Sequence, residues 1–160
     1  MTAVQVIAVG RLKEAWMRDG CAEYLKRMGL WSKASVVEVD EFRLGENPSP
    51  AQVRSCVERE GERILEKIPK GARVVAMCIE GKTLSSEGLA DYIARAAASG
   101  AGSLAFVIGG SYGLSDAVKN AASLRLSMSP MTFPHQLARV LLLEQLYRAF
   151  SINANAKYHK

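Results

Sequence analysis

The fold is decided by the stretch Phe106–Phe150, FVIGGSYGLSDAVKNAASLRLSMSPMTFPHQLARVLLLEQLYRAF. It begins with an apolar, strand-like run and then turns through Gly109–Gly113, GGSYG. A buried strand that ends in a glycine turn is a usual ligand-binding position in an α/β sheet. A second turn, Ser127–Phe133, leads into a long apolar helix that we predict over Pro134–Ile152. Because both turns follow strands and only one short helix separates them, we expect them to converge on one pocket.

Outside this stretch the chain alternates apolar strands with helices. Hydrophobic periodicity and capping residues predict the following elements. The strands are Val4–Val9, Ser35–Val39, Arg73–Ile79, Ser103–Ile108 and Leu124–Ser127. The helices before Pro134 are Glu14–Met28, Pro50–Ile68, a segment capped by Ser85 or Ser86 that ends at Gly100, and Ser115–Ala122. Asp40–Pro50 is predicted as an exposed loop and Glu80–Lys82 as a turn. The alternation indicates a single α/β domain, residues 1–160, with a mostly parallel sheet covered by helices on both faces.

Composition excludes several classes of protein. The 160 residues are enough for one domain with a hydrophobic core. Three cysteines without C-x-x-C spacing predict neither a zinc knuckle nor a disulfide framework, and they fit reduced cytosolic thiols. No apolar run reaches membrane-spanning length, so we expect a soluble, cytoplasmic protein. The formal charge of +5 suits a polyanionic partner, but it also suits many proteins that bind no polyanion.

The chemistry-bearing side chains are few. His135 and His159 are the only histidines, and neither has a metal ligand at suitable spacing, so no metal site is predicted. His135 begins a helix, whose dipole disfavours the imidazolium form; it is either a neutral hydrogen-bonding group or a structural cap. The turn Gly109–Gly113 lacks the spacing of dinucleotide and triphosphate loops, so a tight connection without a ligand is the alternative. No G-x-S-x-G motif occurs, which makes hydrolysis a poor hypothesis.

The last four residues combine two cations with two rings. Tyr158 or His159 could stack on a nucleobase while Lys157 and Lys160 meet phosphate groups. The alternative is a disordered tail, which is the usual state of chain ends. Sequence alone leaves both interpretations open.

Four segments, in this order, carry a resemblance to a known family: Phe106–Leu114, Ser127–Val140, Glu144–Ala149 and Tyr158–Lys160. They resemble the ribosomal RNA large-subunit methyltransferase H family, and the resemblance spans the chain. It implies a SPOUT-type fold whose C-terminal part forms a deep trefoil knot. It also implies S-adenosylmethionine as cofactor and methylation of N3 of a pseudouridine in 23S ribosomal RNA. Members are expected to act as homodimers on the assembled ribosome, without metal or membrane.

The resemblance assigns site residues by position. We hypothesise that the catalytic residues are His135, Arg139, Tyr158 and His159, which would orient the base or stabilise its anion, and the tail could come from the second subunit. Met77 stands where leucine is common, and Cys78 where an acidic residue is frequent. The cofactor is expected to contact Met77, Gly109, Met128, Ser129, Pro130, Met131, Thr132 and Phe133.

Two other functions are compatible with the sequence. The first is a non-catalytic ribosome-binding factor on the same fold, which would lack affinity for the cofactor. The second is a flavodoxin-type nucleotide-binding protein, which needs a phosphate loop after its first strand. Gly10–Lys13 is a poor loop of that kind.

Overall fold

A computed structural model describes residues 1–160 and contains five strands and five helices. The strands are β1 Thr2–Val9, β2 Ser32–Val39, β3 Arg73–Thr83, β4 Ser103–Ile108 and β5 Leu124–Ser127. The helices are α1 Ala15–Met28, α2 Pro50–Lys67, α3 Ser86–Ala98, α4 Asp116–Ala121 and α5 His135–Asn153. They form one sheet in the order β2-β1-β4-β3-β5, and every neighbouring pair of strands is parallel. The predicted α/β class is confirmed.

Helices cover both faces of the sheet, because successive side chains of each strand point to opposite sides. On one face Val6 and Phe106 belong to a core with the buried side of α5, represented by Leu142. On the other face Ile7 and Val107 belong to a second core with α2 and α4. Helix α5, predicted to be central or buried against a second subunit, packs against α1 and α3 within this chain.

The caps predicted from serine positions are present. Ser49 and Gln52 form a reciprocal capping box at the start of α2, and Pro50 is the first helical residue. The Ser85 and Ser115 side chains accept backbone N–H groups at the starts of α3 and α4. Each such cap stabilises a helix by about 1 kcal/mol.

Three strand boundaries differ from prediction. β1 begins at Thr2 rather than Val4, and β3 ends at Thr83 rather than Ile79. β2 begins at Ser32 rather than Ser35. Glu80–Lys82, predicted as a turn, lies inside β3, so that prediction was wrong. The register of the pairing between β3 and β5 shifts between Met77 and Lys82, so the ladder is irregular there. A Cβ on Gly81 would lie 2.7 Å from the carbonyl carbon of Leu126, so glycine is needed for this close backbone approach, not for a turn.

The parallel arrangement positions the site. The carboxyl ends of parallel strands lie at one edge of the sheet, which is where α/β proteins bind ligands. In the observed order β4 lies between β1 and β3, and β5 follows β3. The segments that follow β4 and β5 therefore leave the sheet close to the end of β3. No helix of the structure combines the length and apolar character needed to cross a membrane.

Candidate cofactor cavity and adjoining polar cleft

A cavity of about 810 Å³ opens at the carboxyl edge of the sheet. Three segments supply most of its wall: the end of β3 from Met77, the turn after β4, and the loop after β5. Gly109 and Met131 line this same cavity, so the two turns converge as the sequence predicts. Its size is that of a pocket for a nucleoside-sized ligand.

Most residues expected to contact the cofactor lie around this cavity. Pro130 alone among them does not line it. The wall mixes thioether and aromatic side chains with glycine backbone, as in sites that bind an apolar ring and read its polar edge through main-chain groups. Their contacts with a cofactor remain predictions. The predicted residues that line the cavity are Met77, Gly109, Met128, Ser129, Met131, Thr132 and Phe133.

The glycine turn after β4 is folded too tightly for side chains at key points. A Cβ on Gly109 would lie 2.6 Å from the carbonyl carbon and oxygen of Gly113. Gly113 has φ +85°, in the left-handed region that favours glycine. Its N–H donates to the carbonyl of Gly110 at 3.1 Å, which closes the turn. This packing leaves the backbone of the turn exposed to the cavity.

The loop after β5 is shaped by its own serines. The Ser127 hydroxyl donates to the carbonyl of Ser129 at 3.1 Å, and the Met131 N–H donates to Oγ of Ser129 at 3.0 Å. The Met131 side chain is 75 % exposed and stands at the cavity mouth. An exposed thioether beside a preformed cavity offers apolar contact to an incoming ligand.

His135, the first residue of α5, lies at a junction between two cavities. It lines the 810 Å³ cavity and also a polar cleft of about 590 Å³ beside it. Burial lowers the pKa of His135; Arg139 and Lys13 act in the same direction, while Glu41 opposes them. The lowered pKa favours a neutral imidazole at neutral pH, which has one nitrogen to donate and one to accept a hydrogen bond.

The polar cleft has no hydrophobic residue in its lining, and no local motif predicts it. It lies at the carboxyl ends of β1 and β2, against the starts of the glycine turn and α5. We use the name polar cleft for the site lined by Gly10, Arg11, Lys13, Asp40, Glu41, Arg43, Arg63, Ser111, His135 and Gln136.

Arg139 lines neither cavity. It is 2 % exposed, and its guanidinium donates to Oε2 of Glu38 at 2.6 Å and to the carbonyl of Gly10 at 3.0 Å. These contacts tie α5 to the ends of β1 and β2. Its predicted catalytic role stays a prediction, and the structure gives it a contact with the backbone of the polar cleft.

The C-terminal tail folds back on α5 and, within this chain, does not reach the cavity. The Tyr158 hydroxyl donates to Oε1 of Glu144 at 3.1 Å, and its ring lies 4.5 Å from that of Tyr147. Burial, with the Glu144 carboxylate adding to it, raises the pKa of Tyr158 to about 12. His159 bridges Arg148 and Glu87. Glu144 lies nine residues after His135, which lines the cavity, so about 13 Å of helix separates the tail contact from the cavity.

Glu60 is a buried carboxylate that sequence reasoning did not select as a site residue. It is 4 % exposed, accepts the N–H of Phe42 on Oε2 at 2.9 Å, and leaves Oε1 without a partner. A Cβ on Gly110 would lie 3.1 Å from Oε1. Cys56 donates to the carbonyl of Phe42 at 3.1 Å. Glu60 therefore lies between the wall of the polar cleft and the glycine turn.

We expect the substitution Glu60→Gln to change how stability depends on pH. Burial raises the pKa of Glu60; Glu41 adds to this, while the Phe42 N–H, Cys56 and Arg63 oppose it. With a raised pKa, the folded state binds the proton more tightly than the unfolded chain. The stability this group contributes is thus largest at low pH and is lost as pH rises through the folded pKa. Glutamine does not titrate, so the variant should gain stability relative to the original chain as pH rises above the ordinary carboxyl pKa of about 4.3.

Urea unfolding at about pH 5, 6.5 and 8 measures this difference. Glu62→Gln is the matched control, since Glu62 is an exposed residue of the same helix. A stability difference for Glu60→Gln that changes with pH no more than the difference for Glu62→Gln would contradict the assignment of a raised pKa to Glu60.

No group of three or more His, Cys, Asp or Glu side chains is placed to hold a metal ion.

Comparisons with known proteins identify the family of this chain. The family model described as "Predicted SPOUT methyltransferase" matches residues 2–159. Among curated proteins, the chain is 48% identical to a ribosomal RNA large subunit methyltransferase H of Pelotomaculum thermopropionicum, covering 99% of each chain. It is 47% identical to the protein of that name in Bacillus pumilus, covering 98% of this chain and 99% of the other.

Solved structures share the fold at low sequence identity. A probable methyltransferase from Bordetella pertussis superposes with a TM-score of 0.58 at 18% identity, covering 93% of this chain and 96% of the other. A putative methyltransferase from Legionella pneumophila, solved with bound S-adenosylmethionine, gives a TM-score of 0.50 at 11% identity. That match covers 92% of this chain and 66% of the other.

Proposed function

The chain belongs to the SPOUT methyltransferases and, among them, to the ribosomal RNA large subunit methyltransferase H family, and we propose that it methylates N3 of a pseudouridine in 23S ribosomal RNA. The methyl donor is S-adenosylmethionine, and the substrate is the assembled ribosome in the cytoplasm. The observation that carries the proposal is the convergence of three strand-end segments on one cavity beside a polar cleft.

The residues of the cavity fit this cofactor. Its volume of about 810 Å³ suits a ligand of this size, and its wall combines methionines with Phe133 and glycine backbone. The tight turn at Gly109 brings main-chain groups to the wall where a side chain would not fit. When bound, S-adenosylmethionine supplies an electrophilic methyl group on a sulfonium. Met77 and Met128 would contribute polarizable apolar surface to its binding, and backbone groups near Ser129 and Gly109 would read the polar edge of the adenine.

The protein's own residues then have to orient the base and ease loss of the N3 proton. His135 is best placed for this, since it lines both the cavity and the cleft. Its neutral imidazole can accept a hydrogen bond from the base or donate one to a developing anion. Arg139 acts indirectly: it is a positioning residue whose guanidinium holds the backbone of Gly10.

Tyr158 and His159 enter the reaction only if the tail comes from a second subunit. Within one chain they contact Glu144 and Glu87, away from the cavity lining. A homodimer that brings the partner's tail to the cavity reconciles their proposed catalytic role with this placement. The C-terminal trefoil knot of SPOUT proteins belongs to the same proposal and rests on family membership.

The deciding experiment is mass spectrometry of the pseudouridine-bearing hairpin from ribosomes of a deletion strain. Adding the protein and S-adenosylmethionine should increase the mass of that fragment by one methyl group, and fragmentation should place the methyl on N3. Calorimetry with S-adenosylmethionine, S-adenosylhomocysteine and FMN accompanies it. Ribosome binding without affinity for S-adenosylmethionine would support the non-catalytic factor instead, and FMN binding would support a flavodoxin-type protein.

A further inference from the structure

The polar cleft carries an excess of positive charge. Four cations line it, against the two carboxylates of Asp40 and Glu41. Of the cations, Arg43 pairs with Glu41 at 3.1 Å, and Arg63 donates to the carbonyl of Asp40 at 2.9 Å. The remaining two cations, at the start of the β1–α1 loop, are exposed and form no ion pair, so their charge is available to a ligand.

Those two free cations are Arg11 and Lys13, and arginine side chains bond to three carbonyls of the loop that carries them. Gly10 has φ +87°, and its carbonyl accepts from Arg139. The carbonyls of Leu12 and Lys13 both accept from Arg18, at 3.0 and 2.9 Å. Because guanidinium groups bond to these carbonyl oxygens, the oxygens do not offset the positive charges of Arg11 and Lys13. The same bonds preorganise the backbone of the loop.

The opposite wall of the cleft is fixed as well. Phe42, between two cleft residues, has its N–H bonded to the buried Glu60 and its carbonyl bonded to Cys56. The guanidinium of Arg59 also lies 4.8 Å from the ring of Phe42. Because both walls of the cleft are fixed, an anion that binds the exposed cations does not have to order the loops, and less conformational entropy is lost on binding.

The polar cleft and the cofactor cavity adjoin. Ser111 and His135 line both of them. A nucleotide whose base reaches the cavity beside His135 therefore places its sugar and phosphate towards the cleft. Apart from His135, which also lines the cavity, the cleft lining has no hydrophobic or aromatic residue on which a base could stack, so its chemistry suits the nucleic-acid backbone.

From these observations we infer that the polar cleft binds an RNA phosphodiester next to the methylated nucleotide, with Arg11 and Lys13 as its principal contacts. This inference rests on the proposed function and extends it by assigning a substrate-binding site in the same chain. Contacts of this kind position the strand without reading its sequence, and they make affinity depend on salt.

The test compares the double variant Arg11→Ala/Lys13→Ala with the unchanged protein. Co-sedimentation with ribosomes from the deletion strain, at salt concentrations from about 50 to 200 mM, gives the dissociation constant and its salt slope. Loss of two phosphate contacts should raise the dissociation constant about tenfold or more and reduce the slope by about 2. Affinity for S-adenosylmethionine, measured by calorimetry, should change less than about twofold, because neither residue lines the cofactor cavity.

Lys67→Ala/Lys70→Ala is the matched control. Both lysines are exposed, at the opposite edge of the sheet: Lys67 ends α2, and Lys70 lies between α2 and β3. It removes the same charge, so a slope equal to that of Arg11→Ala/Lys13→Ala would overturn the assignment of the cleft. The two proposals fail separately. Ribosome binding that responds to Arg11 and Lys13 without any methyl transfer would refute the methyltransferase and leave the cleft as an RNA site. Normal methylation with an unchanged slope would refute the cleft alone.

Discussion

Gly109→Ala is expected to lower affinity for S-adenosylmethionine by roughly 10- to 100-fold while the chain still folds. The added Cβ would lie 2.6 Å from the carbonyl carbon and oxygen of Gly113 and 3.1 Å from Cδ2 of Leu114. Real Cβ atoms do not approach backbone so closely, and backbone cannot rotate away as a flexible side chain can. The turn must therefore shift, and it forms one wall of the cavity. Overpacking of this kind typically costs about 1–3 kcal/mol, which corresponds to the stated range of affinity if the bound state bears it.

Calorimetry on the folded variant measures this effect, and thermal unfolding shows whether the fold survives. Gly102→Ala is the control, because a Cβ at Gly102 would meet nothing within 4 Å. Both substitutions add one methyl group to a glycine flanking β4, so they differ only in what that methyl meets. We expect Gly102→Ala to bind the cofactor as the original chain does. Equal affinities for the two variants would mean that the glycine turn is not part of the cofactor site.

The fold could be predicted because its signals are local. Strands such as β4 are continuous apolar runs, as burial on both faces requires, and serine caps mark the helix starts. The one wrong turn, Glu80–Lys82, has the composition of a turn. What overrides composition there is the approach of the β5 backbone to Gly81, a contact between segments far apart in sequence.

In the candidate site, too, the features that depend on local sequence could be predicted, and those that depend on contacts between distant segments could not. The cavity could be predicted because it needs only two glycine- or proline-containing turns that follow strands. The polar cleft depends on strand order, since the loops after β1 and β2 meet the glycine turn only when β1 lies beside β4. Glu60 was missed because a glutamate within a charged helix is usually solvated, and its burial follows from the position of Phe42. The tail was recognisable by composition, but its contact with Glu144 depends on how the chain folds back.

Arg139→Met is expected to destabilise the folded chain by about 2–3 kcal/mol, and Arg139→Lys by roughly half as much. The methionine variant leaves the carbonyl of Gly10 without its donor in a buried position and removes the partner of Glu38. The loss stays below that for a fully buried ion pair because the Glu38 side chain is 41% exposed and can be rehydrated. Lysine keeps the charge, but its single ammonium cannot reproduce the two-pronged contact of the guanidinium. Urea unfolding at neutral pH gives these values.

The same variants separate a structural Arg139 from a catalytic one. If Arg139 acts by holding the loop that begins at Gly10, its loss should raise the KM for ribosomes, because that loop carries Arg11 and Lys13 into the polar cleft. The rate per folded molecule at saturating ribosome concentration should then change little. Glu38→Gln serves as the control, since it removes the charge of a half-exposed partner and leaves the bond to Gly10 in place. A stable Arg139→Lys variant with normal KM and a lost maximal rate would instead place the guanidinium in contact with the reacting base, which requires α5 to move from the arrangement described above.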